Sequence, residues 1–414
     1  MRKENVSPYR WVILIVTVPI IMATEMMWLT FSPISSIIAE HYGVAGFAVD
    51  MLATSYMIMF IVFCVPSTYV IDRFGFRRSL VVGALLTGVF GLTRALFSSS
   101  FTLVIISQFL IAAGQPFLLN ITTKAAANWF PFNERATADG LLTMAQYAGF
   151  AIPMVLSPIL VESMGVKSML YVFAAVGIVA MVLVLIFVKE KPKVAPPGPV
   201  AEREDFSRKT FAKLIKNRQY VFCLAVAFVS MGIFNTILTL IESILLPRGI
   251  TSAEAGVIGA VFVVAGVIGA LLIPIFSDRT GIRIKLMFVI IVILTPLYLA
   301  LSLVSSFAVL VIVAGLCGFT IMGVAPVLFQ HASETGYPVQ EGTSLGCLIL
   351  MGQISGVLFV FLFEAISTVT SSVAIPMIGL VILTGLQLPV IGAMKESRLN
   401  ADKNTDTDNK DNKR

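Results

Sequence analysis

Charge is what this chain has least of. Asp, Glu, Lys and Arg make up 13% of its 414 residues, against 57% hydrophobic, where a soluble domain carries about 25% charged residues. That shortage excludes a water-soluble globule, because an interior of this size cannot hide so much apolar side chain, and it makes the bilayer the solvent. Cysteine is also scarce. Cys64, Cys223, Cys317 and Cys347 form no CxxC pair and have no histidine at ligand spacing, so they read as small buried apolar residues, and no metal site is expected. No GxxxxGK[ST] loop is present, so any uphill work draws on a gradient of ion or substrate rather than on ATP. No nucleophile stands beside a base and no signalling domain is appended, which argues against an enzyme and against a receptor. No cofactor is expected. The first apolar run has no small-residue cleavage site after it and reads as a retained helix.

What is there instead is a series of apolar runs, each long enough to cross about 30 Å of hydrocarbon, which takes about 20 residues at helical rise. They cover 10–34, 47–71, 79–97, 101–127, 136–161, 168–188, 220–246, 254–276, 284–303, 306–329, 342–367 and 372–393. The expected fold is an all-α integral membrane protein of twelve transmembrane helices in two six-helix bundles. Residues 1–9 form a cytoplasmic N-terminus, 10–188 the first half, 189–219 a cytoplasmic linker, 220–393 the second half and 394–414 a disordered cytoplasmic tail. With both termini inside, all of the 29 lysines and arginines except Arg94, Lys167 and Arg248 lie on the cytoplasmic side, as the positive-inside rule requires. The net charge of +6 then reflects topology and an anionic inner leaflet rather than a nucleic-acid partner. The expectation is a monomeric multi-pass protein of the plasma or inner membrane.

The linker carries Pro196-Pro197-Gly198-Pro199 and then Phe206, Phe211, Leu214 and Ile215 interleaved with Arg208, Lys209, Lys213 and Lys216. This suits either a short helix lying on the inner membrane surface or a solvated basic linker. In the eighth run, Gly256, Gly259, Gly266 and Gly269 make a small-residue stripe of the kind that lets membrane helices approach closely.

One phrase occurs twice. Asp72-Arg73-Phe74-Gly75-Phe76-Arg77 returns 206 positions later as Asp278-Arg279-Thr280-Gly281-Ile282-Arg283, and Gly43 maps onto Gly249 with the same offset. Glu134, Gln146 and Gly149 return as Glu341, Gln353 and Gly356 at an offset of 207. Many transporters are built from such internal repeats. Each copy of the phrase ends the second helix of its half, where the aspartate can pair with the neighbouring arginines or with the positive N-terminus of another helix.

This doubled DRxGxR phrase is similar to the loop signature of the major facilitator superfamily. The resemblance implies a cytoplasmic gate latch made by Asp72, Arg73, Gly75, Arg77, Asp278, Arg279, Gly281 and Arg283. The competing reading is that these charges only set topology and turn geometry. Within the superfamily the chain resembles the feline leukaemia virus subgroup C receptor-related transporters. Trp28-Leu29-Thr30-Phe31, Tyr42-Gly43-Val44, Phe47-Ala48-Val49-Asp50, Ala126-Ala127-Asn128-Trp129-Phe130 with Asn133-Glu134, Glu334-Thr335-Gly336-Tyr337-Pro338 and Gln353-Ile354-Ser355-Gly356 carry that likeness. It implies a secondary or facilitative transporter of a small organic solute, choline-like or haem-like, working by alternating access. A proton-coupled multidrug or metabolite exporter is the alternative, for which Gly140, Gly149 and Pro153 supply only a fragment of the antiporter pattern, and a transporter-like receptor or sensor is the lesser one.

The substrate of such a transporter binds near the midplane, so polar and aromatic residues deep in the helices are the candidates. Trp28 lies about 25 Å along the first helix from Trp11 at about 1.5 Å per residue. The resemblance gives it a place in an aromatic cage for a quaternary ammonium, while a lipid-facing interfacial Trp is the plain alternative. Its repeat mate is Phe234, and Asn235 stands where the relatives carry an aromatic partner. Gln353 matches a glutamine lining the family's site, and Gln146 is its mate. Gln115 and Asn120 are further candidates, and helix-to-helix bonding competes for all these amides. Glu25, one turn before Trp28, is a carboxylate inside a membrane helix, which is costly and therefore marks function by default. It reads as a counter-charge for a cationic substrate, as a carrier of a coupling proton, or as a structural partner of another helix. Lys124, at the inner end of the fourth helix, either snorkels or braces the inner gate.

Overall fold

The computed structural model describes residues 7–131, 134–192 and 208–396. The Pro-rich part of the linker, Phe206, the Arg208 side chain, Asn133 and the tail beyond 396 lie outside the described residues. Inside hydrocarbon a backbone must satisfy its own N–H and C=O groups, and the described chain does so with helices. They are α1 (Tyr9–Leu29), α2 (Ser35–Tyr42), α3 (Gly46–Phe74), α4 (Phe76–Leu96), α5 (Phe101–Leu119), α6 (Thr122–Trp129), α7 (Arg135–Phe187) and α8 (Arg208–Lys216). After these come α9 (Arg218–Thr239), α10 (Ile241–Leu245), α11 (Ser252–Thr280), α12 (Ile284–Leu303), α13 (Phe307–Gly336), α14 (Glu341–Thr370), α15 (Ala374–Gly385) and α16 (Gln387–Gly392).

Among the described residues, 11 stretches are long and apolar enough to cross a membrane. One of them, Thr137–Phe187, has 51 residues, more than twice what one crossing needs. Its helix is interrupted at Gly165, where φ is +80°, a conformation that glycine adopts without steric cost. It therefore supplies two crossings, and the total is twelve.

The first crossing is not one helix. α1 stops at Leu29, a 3-10 turn covers Ser32–Ile34, and α2 begins at Ser35. Pro33 cannot donate a backbone hydrogen bond and its ring excludes the carbonyl one turn back, so the run predicted as a single span breaks there. The seventh crossing breaks in the related place, between α9 and α10.

The residues group into two compact units, Met1–Arg203 with Leu238–Ala260, and Glu204–Ile237 with Val261–Arg414. The first unit thus takes in α10 and the start of α11 besides the first repeat half. In it α1 lies against α7, and α4 lies between α5 and α7. In the second unit α12 packs on α13 and α15. The glycine stripe of α11 is a packing surface. A Cβ added at Gly266 would come within 3.1 Å of the Gly318 carbonyl, and one at Gly269 within 2.9 Å of the Phe319 Cα, so α11 and α13 touch backbone to backbone.

In α8, Leu214 is buried while Phe211 and Ile215 are exposed alongside Lys209, Lys213 and Lys216. An exposed apolar pair flanked by lysines is the pattern of a helix at a membrane surface.

Candidate functional site

Where α1 approaches its break, the first unit gathers its most unusual side chains. Glu25 has no exposed surface, and the Gln115 amide on α5 donates to both of its carboxylate oxygens at 3.0 Å. One turn on, Trp28 is 4% exposed, which rules out a lipid-facing role. Its indole N–H donates to the Ala53 carbonyl on α3 at 3.0 Å. Tyr56 of α3 stacks on the indole with ring centroids 6.3 Å apart, and Phe150 of α7 meets it edge-on at 5.2 Å. Tyr147 stands 6.0 Å from Phe150. The Tyr56 hydroxyl and Thr24 Oγ1 are buried and have no hydrogen-bond partner among the described residues. A carboxylate has about four lone-pair sites and Gln115 occupies two, so Glu25 can accept further donors beside three aromatic walls. That is chemistry for a small cation.

Gln115 joins this group and Asn120 does not, because the Asn120 amide bonds Ser67 Oγ at 2.9 Å and the Cys64 carbonyl at 3.5 Å, tying α5 to α3. Gln146 is half-buried on α7, and its side chain makes no hydrogen bond among the described residues. In the second unit Phe234 lies 6.0 Å from Phe262. The Asn235 amide is spent on the Gly352 carbonyl of α14 at 3.2 Å, and the neighbouring Gln353 is half-buried. Tyr56 and Phe150 are not distinguished by sequence, where they stand among 9 tyrosines and 30 phenylalanines. Among the described residues no group of three metal-ligating side chains occurs.

The two loop phrases fold alike, but the first pairs differently from expectation while the second makes the expected pair within the phrase. Asp72 does not pair with its own arginines. Lys124 of α6 holds it at 2.7 Å and also donates to the Ile71 carbonyl, while Arg73 bonds the Tyr69 hydroxyl at 2.6 Å and the Arg77 side chain is exposed. The carboxylate at the helix N-terminus is Glu190, which accepts the backbone N–H groups of Phe76 and Arg77 at 3.2 and 2.8 Å. In the second copy Glu396 accepts those of Arg283 and Ile284 at 3.0 and 2.9 Å. Glu190 and Glu396 are 206 residues apart, the same offset as the phrase itself. Here Arg283 pairs with Glu334 and, at 3.7 Å, with Asp278, whose side chain is 69% exposed. Arg279 is exposed, and Gly281 has φ +66°.

Gly75 turns the corner between α3 and α4 with φ +90°, and a Cβ there would meet the Glu190 carboxyl carbon at 2.5 Å. Gly75→Ala is expected to cost more than about 1 kcal/mol of stability, read as a lower unfolding midpoint of the purified protein in detergent.

At the opposite end of the first unit a second polar cluster forms. Glu242 of α10 has no exposed surface. It accepts the Ser36 N–H at 2.8 Å, the Ser36 hydroxyl at 2.6 Å and the Ser252 hydroxyl. Asp50 accepts from the hydroxyls of Ser35 at 2.9 Å and Ser243 at 3.4 Å. Arg248 nearby bonds the Ile244 carbonyl at 3.0 Å, and burial lowers its pKa from the ordinary guanidinium value.

Residues 17–392 match the family model of the Major Facilitator Superfamily. The chain belongs to that superfamily. It is 31% identical over 382 residues to solute carrier family 49 member A3 of Danio rerio, covering 88% of this chain and 80% of that protein. It is 28% identical over 378 residues to the choline/ethanolamine transporter FLVCR2 of Homo sapiens, covering 86% and 71%. The fold is similar to a bacterial homologue of the lysosomal transporter Spinster, with a TM-score of 0.72 at 15% identity over 94% of this chain and 97% of the other. As a superfamily member of this branch, the protein is a multi-pass membrane transporter of a small organic solute.

Proposed function

We propose that the solute is a small organic cation of the choline or ethanolamine class and that Trp28, Tyr56, Phe150 and Glu25 bind it. The observation that carries this reading is a fully buried carboxylate one turn from a tryptophan whose ring is walled by two further aromatics. An isolated carboxylate at membrane depth is costly, and a cation over the rings is attracted both by their faces and by that charge. The similarity to a human protein named for choline and ethanolamine agrees in substrate class. Asn235, engaged with Gly352, supplies no aromatic wall in the second unit, so the rings of the first unit carry the cage.

The second reading makes Glu25 a proton carrier, because among the described residues no cationic side chain partners it. Uptake of labelled choline, ethanolamine, haem and organic anions into proteoliposomes, with and without a pH gradient, separates the readings. Expected is saturable uptake of choline or ethanolamine that persists without a pH gradient. Uptake that requires the gradient and loses that requirement in Glu25→Gln assigns proton carriage instead. Uptake of the anions but of neither amine would refute the cation reading.

In the same proposal both termini are cytoplasmic, the protein works as a monomer in the plasma or inner membrane, and α8 rests on the inner leaflet. The Asp72–Lys124 pair and the Glu190 and Glu396 caps brace the inner end, while the Glu242 and Asp50 cluster closes the outer one. The double variant Asp72→Asn with Asp278→Asn is expected to slow turnover severalfold. Unchanged turnover in reconstituted vesicles would remove the latch from the proposal.

A further inference from the structure

On sequence alone Arg94 stands at the outer end of the third apolar run, one of three basic residues placed off the cytoplasmic side, and the structure buries it fully near the end of α4. No carboxylate lies within ion-pair distance of it among the described residues. Its Nη1 donates to Gln108 Oε1 of α5 at 2.5 Å and to the Met27 carbonyl of α1 at 3.4 Å. The Gln108 amide, also fully buried, donates to the same Met27 carbonyl at 3.0 Å and to the Leu52 carbonyl of α3 at 3.2 Å. The guanidinium carbon lies 5.2 Å from the centre of the Phe31 ring, just past the end of α1. Nε and Nη2 have no hydrogen-bond partner among the described residues.

These contacts have one focus. Met27 stands in the last turn of α1, where helix carbonyls run out of intrahelical amides and where the helix dipole favours a cation. The next residue is Trp28, whose indole bonds Ala53, the residue after Leu52. Consecutive residues of α1, 27 and 28, are thus tied to consecutive residues of α3, 52 and 53, with one amide bridging both helices. A buried charge without a counter-ion is poor material for stability alone. Its whole set of bonds goes to the carbonyl beside Trp28 and to the amide that holds it.

We infer that Arg94 and Gln108 are positioning residues: they clamp the broken end of α1 to α3 and so fix the Trp28 ring against Tyr56. This rests on the reading of Trp28 as a substrate-binding residue, but its physical content concerns the ring's placement and stands apart from the substrate.

The chain has three tryptophans, so Trp11→Phe and Trp129→Phe leave Trp28 as the sole indole. In this full-length background, reconstituted in lipid nanodiscs, Gln108→Leu and Arg94→Gln are expected to shift Trp28 emission to the red. They are also expected to raise its acrylamide quenching about threefold and to raise KM for choline about tenfold, with kcat within twofold. Arg94→Lys, which keeps a cation beside the Met27 carbonyl, is expected to recover most of all three changes. If Gln108→Leu fails to fold, Gln108→Asn and Arg94→Gln carry the same fluorescence comparison. Emission and quenching unchanged in the variants would overturn the clamp whatever the substrate proves to be. Altered fluorescence in a protein that takes up neither choline nor ethanolamine would support the clamp while refuting the cation reading.

Discussion

Trp28→Ala lowers kcat/KM for choline uptake by about 30-fold or more. A desolvated cation on an indole face gains about 2 kcal/mol, and each 1.4 kcal/mol is about tenfold in affinity. The indole is enclosed by Tyr56 and Phe150 and is 4% exposed, so the desolvated figure applies. Trp28→Phe is expected to fall between wild type and Ala, because it keeps a ring face but loses the bond to the Ala53 carbonyl. Truncating a buried Trp to Ala also costs about 3 to 5 kcal/mol of stability. Initial rates are therefore to be scaled to folded, monodisperse protein, with Trp28→Phe as the variant that retains most of the volume.

Glu242→Gln opens the end of the first unit at which α10 meets α2. The Glu242 carboxylate accepts from the Ser36 N–H and from the hydroxyls of Ser36 and Ser252 without any exposure to water. A glutamine offers one oxygen where two were used and turns an N–H group toward donors, so charge-assisted bonds are lost and a repulsive contact is added. A loss of about 2 to 4 kcal/mol shifts a two-state equilibrium by about 30- to 1000-fold. In a background with the four cysteines replaced, a cysteine at Ser243 is expected to react with a membrane-impermeant thiol reagent at least about tenfold faster in Glu242→Gln. Glu242→Asp, which keeps the charge but shortens the reach, is expected to lie between. An unchanged labelling rate would exclude this cluster as a closure.

The spans were legible because length and apolarity are local properties, and the duplication because an offset needs no structure. Glu25 and Trp28 were legible because a carboxylate and an indole are rare at that depth. Their surroundings were not: Tyr56 and Phe150 look like any apolar-run aromatics, and only the packing of α3 and α7 on α1 brings them to the indole. Lys124 as the partner of Asp72 depends on a meeting of helices 52 residues apart. In the sequence Arg94 counts only as a charge at the outer end of a run, and what holds it is a helix C-terminus that exists only because α1 breaks near Pro33. Glu190 and Glu396 are a different case. They carry the 206-residue offset of the loop phrase, a signal present in the sequence, and their role as helix caps becomes visible once Gly75 and Gly281 are seen to turn the chain.

The most direct test of the proposed site is equilibrium binding of radiolabelled choline to the purified protein, its Trp28→Ala variant and its Glu25→Gln variant. Saturable binding to wild type, weakened about 30-fold by the first change and at least tenfold by the second, is the expected result. Equal binding by all three proteins would contradict a cation site built on Glu25 and Trp28.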